Sequence, residues 1–289
     1  MKYRVEHTTT FKYANPVELA SHMVHLLPRE LPYQHVIDSE LAATPRAGRR
    51  SDAVDHFGNR VNWLFLDVQH ARFSVTLHAE VDVGFPPPPQ PDSTLAWEDV
   101  TAARDGGALY WEAAEFVFHS PMVAADPAVA AYVAGSFPPG RAILVGVIDL
   151  LARIRADFKF QSGVTTIATP VGKVLAQKAG VCQDFSHLMI SGLRSLGIPA
   201  RYVSGYIRTR PPPGQERRRG SDQSHAWVGV WLGPEHGWVD VDPTNNLIVQ
   251  DEHVVLGWGR DYGDLSPVRG IILGGGKHTL SVSVDLEAV

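Results

Sequence analysis

The one cysteine of the chain, Cys182, lies between Gly180 and a run that reads as a helix beginning around Gln183. A sulfur at a helix N-terminus meets unpaired backbone N–H groups and the positive end of the helix dipole, which favour thiolate over thiol. The same N–H groups can hold the oxyanion of an acyl-transfer intermediate. Most lone cysteines are small buried hydrophobes, so position alone does not make a nucleophile. The residues downstream add a base. Ser224-His225-Ala226-Trp227-Val228-Gly229-Val230-Trp231 alternates as a strand, with His225, Trp227 and Trp231 on one face as an apolar wall around the imidazole. The turn Gly233-Pro234-Glu235-His236-Gly237 then folds the chain back into Trp238-Val239-Asp240-Val241-Asp242. An antiparallel hairpin brings the far end of that second strand beside His225. Asp240 and Asp242 share a face, but Asp242 is two residues farther from the turn. It is nearer to His225 by about 7 Å at roughly 3.3 Å per residue. Asp242 is therefore the expected orienting carboxylate, and Asp240 a supporting or surface one. The chemistry implied is a thiolate paired with an imidazolium, the ring held in one tautomer by a carboxylate.

Elements on both sides must position these groups. Thr169-Pro170 reads as an N-cap and first-turn proline opening one helix, with Gly180 closing it. A second helix carries Leu188, Met189, Leu193 and Leu196 and stops at Gly197 and Pro199. Strands follow through Ala200 to Arg208, His225 to Leu232 and Trp238 to Asp242. Upstream, Ile143, Leu144, Val147, Ile148, Leu151 and Ile154 form an apolar stripe at helical spacing, so a mostly helical layer spans about 96 to 160.

The first 85 residues have a different period. Tyr3, Val5, His7, Thr9, Phe11 and Tyr13 alternate with polar residues, as do Phe73, Val75, Leu77, Ala79, Val81 and Val83. Phe57-Gly58-Asn59-Arg60 supplies a hairpin-type turn between such strands. The reading is α+β: a β-sandwich-like N-terminal domain (1–85), a proline-rich linker (86–95), a catalytic core (96–250) and a C-terminal segment (251–289). That segment ends in an alternating strand, Leu280 to Leu286, which is a candidate to pack on the N-terminal sheet. Gly274-Gly275-Gly276 precedes a strand and not a helix, so it reads as a turn and not a phosphate cradle.

The chain has 289 residues, 44% hydrophobic and 20% charged, with a formal charge of −5, which describes a globular protein without a basic field for nucleic acid or an anionic membrane. One cysteine excludes an intrachain disulfide and a cysteine-based zinc site, and fits a reducing, cytoplasmic compartment. No apolar run is long enough to span a membrane. No metal is expected despite 13 histidines, since no helical His pair with a nearby carboxylate is present. Asp184 reads as a capping or dipole-complementing carboxylate, and His187 points away from the sulfur as a structural residue. Asp261 and Asp264 are open between the substrate cleft and a turn or cap. The stretch from Arg208 to Ser221, with Arg210, Arg217, Arg218 and Arg219, reads as a solvated basic loop, or alternatively as a recognition loop for acidic acyl donors.

Three blocks together resemble the transglutaminase-like superfamily: Gly180-Val181-Cys182-Gln183-Asp184-Phe185, Ser224-His225-Ala226-Trp227, and Gly237-Trp238-Val239-Asp240-Val241-Asp242-Pro243-Thr244. Residues 1 to about 85 resemble the β-rich N-terminal domain of bacterial members, and Gly259 to Pro267 resembles their tail. The resemblance implies a papain-like core and acyl transfer through a thioester at Cys182, with His225 and Asp242 completing the set. It implies no cofactor and a peptide or protein amide as substrate, water or an amine taking up the acyl group. Gln183, Asp184, Trp227, Asp240 and Asp261 are candidates for the surrounding cleft. The Cys182 N–H is the expected oxyanion donor, with Gln161 a candidate for the second. Gln183-Asp184 is the bacterial pattern, where animal transglutaminases carry tryptophan after the cysteine, so protein cross-linking is not carried over. The rival expectation is an idle module of the same fold that binds peptides or a partner protein. A homo-oligomer is compatible with either.

Overall fold

The structure is a computed structural model that describes residues 1–102, 111–208 and 223–289. Arg210, Arg217, Arg218 and Arg219 of the basic stretch lie outside the described residues. The period-two segments form β1 (Lys2–Val24), β2 (Gln34–Thr44), β3 (Arg49–Val54), β4 (Arg60–Leu66) and β5 (His70–Val83). β1 is long because it serves two halves of one antiparallel sheet: residues 2–12 pair with β5, and residues 20–24 with β4, with a register shift in the β5 pairing between Lys12 and Val17. Gly58, with φ at 78°, makes the turn between β3 and β4. The chain is anchored at the entry to the proline run, since the Phe85 N–H donates to Asp251 Oδ1 (3.0 Å) and the Phe85 ring packs on Tyr33.

The helical layer holds α1 (Trp97–Ala102), α2 (Trp111–Ala114), α3 (Pro127–Ala134) and α4 (Ile143–Asp157). The apolar stripe of α4 is buried almost throughout. Next come β6 (Lys159–Phe160), α5 (Val171–Gln177), β7 (Ala179–Gly180) and α6 (Cys182–Ser195). Here the structure differs from the expected helix limits. Pro170 is extended (ψ 146°) and precedes α5, and Lys178, in the left-handed region at φ 52°, ends it. Gly180 instead lies in β7, which pairs in parallel with β6. Its role is close approach: a Cβ there would come within 2.7 Å of an Asp184 carboxylate oxygen.

α6 is the central helix, with every side chain from Asp184 to Leu193 other than glycine buried along with Arg194. Its apolar members each stabilise the fold by about 1.5–3 kcal/mol through burial. Arg194 ties its end to three other segments, donating to the carbonyls of Ala200, Phe118 and Arg260. α6 packs on the sheet of β8 (Ala200–Ile207), β9 (Gln223–Trp231), β10 (Trp238–Asp242), β11 (Leu247–Ile248) and β12 (His253–Gly259), in the order β11-β10-β9-β8-β12. This sheet runs past residue 250, because β12 pairs with β8. The chain then returns to the N-terminal sheet: β13 (Val268–Gly274) and β14 (His278–Ala288) both pair with β1, joined by a turn in which Gly274, Gly275 and Gly276 all have positive φ. The two sheets share a core, with Tyr206, Val254 and Leu256 in one cluster with Tyr3, Val5 and Leu286.

Candidate active site

Cys182 opens α6, and Val181 before it carries no oxygen with which to cap the helix. Asp184 does so instead: its carboxylate accepts the Val181 N–H at 2.8 Å and the Thr165 hydroxyl at 2.7 Å. The side chain of Gln183 bonds the carbonyl of Ile167. Gln161, one residue past β6, bonds its N–H to the Gly180 carbonyl (2.8 Å), which puts its exposed side chain near the start of α6.

β9 and β10 form the expected hairpin, Trp238 lying opposite Trp231 and Val241 opposite Val228. Asp242 thereby reaches His225, and the His225 Nε2 to Asp242 Oδ2 distance is 2.7 Å. Nδ1 is not taken by Asp242, and Cys182 lines the same cavity as the ring and is among the groups that raise it. Burial of His225 opposes its protonation. The bonds to Asp242 and Cys182 and their negative charge outweigh it, and raise the imidazole to about 10. Asp242 is fully buried, which by itself would disfavour its charge, yet it is held well below the usual carboxylate range by His225, His253 and Asn245. Oδ2 accepts from Asn245 Nδ2 (2.7 Å), and Oδ1 from the Thr244 N–H (2.9 Å) and Asn245 N–H (3.2 Å). The ring of His253 approaches Oδ2 at 3.4 Å through Nε2.

Asp240 lies too far along β10 to reach His225. It accepts from Trp227 Nε1 at 3.0 Å and pairs with the buried Arg201 (3.7 Å), which stacks on Trp238 and Trp258. It is a buried supporting carboxylate. Gly229 permits this, because a Cβ there would meet Arg201 and Asp240 within 3 Å. Trp227 sits beside the His225 ring, centroids 6.2 Å apart. Trp231 is not part of that wall: it lies six residues on, about 20 Å along an extended strand, packed against Trp238.

In the segment after β12, Asp261 is a cap and not a cleft residue: buried, it accepts the N–H groups of Gly263 and Met122. Asp264 bonds Arg260. Tyr262 and Pro267 from that segment line the cavity instead. His187 is structural, its Nε2 accepting the Tyr262 N–H (3.1 Å) and its imidazole lowered by burial to about 4.

Sequence reasoning missed Asn245 and His253. The run Asp242-Pro243-Thr244-Asn245 carried a signal, since an aspartate that accepts N–H groups two and three residues on is a common turn device. His253 offered none, because only the tertiary fold brings it to Asp242. His225, Asp242 and His253 also place three ligand-type atoms within 4.8 Å of one another. A cation there would have to replace the protons that the two rings share with the carboxylate.

The cavity that Cys182 and His225 line is about 250 Å³ and is lined also by His7, Thr9 and Phe11 of β1. Two family models fit this chain, "Bacterial transglutaminase-like N-terminal region" over residues 3–82 and "Transglutaminase-like superfamily" over residues 145–243. The chain belongs to the transglutaminase-like superfamily. An uncharacterized protein of Mycobacterium tuberculosis is 38% identical to this superfamily member, over 99% of this chain and 92% of its own length. One from Mycobacterium leprae is 31% identical over 99% and 98%. The crystal structure of a candidate cysteine protease from Cytophaga hutchinsonii has the same fold, with a TM-score of 0.77 at 21% identity over 99% of this chain and 90% of that one. A protein-glutamine gamma-glutamyltransferase of Pseudomonas aeruginosa shares 41% identity over 100 residues, 32% of this chain and 15% of that enzyme. This transglutaminase-like chain is thus a member of a cysteine-dependent enzyme family.

Proposed function

We propose that the protein transfers the acyl group of a peptide or protein amide through a thioester on Cys182. The observation that carries this reading is that His225, held by Asp242 at 2.7 Å, lines one cavity together with Cys182, which helps to raise its imidazole. The sulfur attacks the amide carbonyl carbon as thiolate, and the carbonyl oxygen takes the charge of the tetrahedral intermediate. The Cys182 N–H at the start of α6 stabilises that oxygen, with Gln161 as the second donor. The imidazolium of His225 gives its proton to the departing nitrogen, the C–N bond breaks, and a free amine leaves behind a thioester. Water or an amine then attacks the thioester, His225 takes the proton, and the acid or new amide departs as the thiolate returns. Asp242 keeps the ring aligned and its charged form stable through both halves.

The segment shared with the glutamyltransferase supports an amine as acyl acceptor beside water. Fluorogenic peptide amides, assayed with and without a labelled primary amine, test the reading. Wild-type protein is expected to release fluorophore or incorporate amine, and Cys182→Ala to do neither. Equal turnover by both proteins would overturn it.

A further inference from the structure

The cavity beside Cys182 and His225 has two walls of separate origin. The core contributes Tyr202, Ala226 and Tyr262, and the N-terminal sheet contributes Phe11, Val268, Leu280 and Val282. Register explains the second wall. Phe11 pairs with Leu280, Thr9 with Val282 and His7 with Val284, so these side chains stand in one double row on one sheet face. Towards one end that row is covered: Tyr3, Val5, Val284 and Leu286 are buried in a cluster with Tyr206, Val254 and Leu256 of the core sheet. At the other end Leu280 is 56% and Val282 49% exposed, and both open on the cavity of the thiol. An apolar face continuous with a buried interface and left uncovered at a reactive group is suited to an apolar ligand.

Charge points the same way. Among the described residues that line the cavity there is no lysine, arginine, aspartate or glutamate. The polar groups near the N-terminal wall are already engaged, His7 bonding the Tyr206 hydroxyl (2.9 Å) and the Thr9 hydroxyl (2.8 Å) through its two nitrogens. Apart from the Cys182–His225 pair, which the proposed reaction itself occupies, a charged substrate side chain would lose water against the N-terminal wall and gain no ionic partner there. At about 250 Å³ the space suits a side chain or two, not a whole ligand, which needs about 300–1,000 Å³.

We propose that this cavity is the subsite for an apolar side chain on the acyl part of the substrate, read by Phe11, Leu280 and Val282 of the N-terminal sheet. The inference rests on the acyl-transfer reading. The acyl part is the one assigned because it stays on Cys182 through both half-reactions, whereas the amine side must empty to admit water or a second amine. The N-terminal sheet is thereby a specificity element of the enzyme.

The test compares rates of Cys182 alkylation in the full chain by peptidyl chloromethyl ketones bearing Leu, Phe, Glu or Lys next to the ketone, with iodoacetamide as a probe lacking a side chain. Each rate is divided by the iodoacetamide rate. Leu and Phe probes are expected to react at least about tenfold faster than Glu and Lys probes. Val282→Lys should lower the Leu-to-Glu ratio by about tenfold. Leu280→Thr, which introduces no charge and keeps β-propensity, should lower the Leu and Phe rates and serves if the lysine variant does not fold. If iodoacetamide labels wild type and His225→Ala alike, the acyl-transfer reading fails before any question of specificity arises. If that labelling depends on His225 but the four peptidyl probes react equally, or the variants leave their ranking intact, the apolar subsite is overturned and the nucleophile stands.

Discussion

Two buried histidines line the same cavity from different sheets, His225 on β9 and His7 on β1, and their imidazoles move in opposite directions. Burial lowers His7 to about 4, and its partners are neutral hydroxyls that offer no charge to offset the cost. His225 is equally buried, but an ionised carboxylate at 2.7 Å and the cysteine raise it to about 10. Burial sets the penalty, and the charge of the partner decides the sign. One wall of the cavity therefore carries a cation, as the proposed proton transfer requires, while the other stays neutral, as the proposed apolar subsite requires.

The sharpest way to break this comparison is to substitute each histidine. His225→Gln should lower amide turnover by about 10⁴-fold or more, as loss of the base in comparable triads does, and His7→Gln by less than about tenfold. Comparable losses in steady-state assays would mean the two walls are not specialised. Asp242→Asn comes next. It keeps the shape but removes the charge, and should cost about 10²–10⁴ in rate. In the same variant, NMR titration should show the His225 imidazole moved down from about 10 towards or below its ordinary value of 6.5.

Stability against pH sharpens the contrast further. His225 is raised, so its contribution is complete below about 6.5 and is lost as pH rises through about 10. His7 is lowered, so its contribution is present above about 6.5 and is lost as pH falls to about 4, where the unfolded chain takes up the proton first. Thermal melts should show His225→Gln flattening the alkaline limb of Tm against pH, and His7→Gln the acid limb between about 6.5 and 4. A swapped or absent effect would refute the assigned charge states. The smallest effect is expected at His253, whose ring lies 3.4 Å from Asp242 and whose Nδ1 is buried without a partner among the described residues. His253→Gln should cost about 1 kcal/mol, or about fivefold in turnover at most. A larger loss in kcat would make it a principal support of the carboxylate.

Much of the site was legible because it rests on short-range rules. A glycine-flanked cysteine at a helix start, alternation through Ser224 to Trp231, and a five-residue turn are local patterns. Hairpin register then makes the choice of Asp242 over Asp240 a matter of counting, and the 2.7 Å contact agrees with it. Alternation also signalled the N-terminal strands and the final one. What remained hidden depends on packing between distant segments. Gly180 read as a helix stop but serves the close approach of Asp184, and Trp231 shares parity with His225 but lies too far along the strand to shelter it. Parity says which face a side chain takes and nothing about what comes to lie above it. The pairing of β1 with β14, which lines the cleft with Phe11, Leu280 and Val282, joins residues more than 260 positions apart. The chain order thus determined the reactive groups and their hairpin through backbone geometry over a few residues, whereas the tertiary structure alone decided which sheet faces the thiol, because long-range contacts carry no period in sequence.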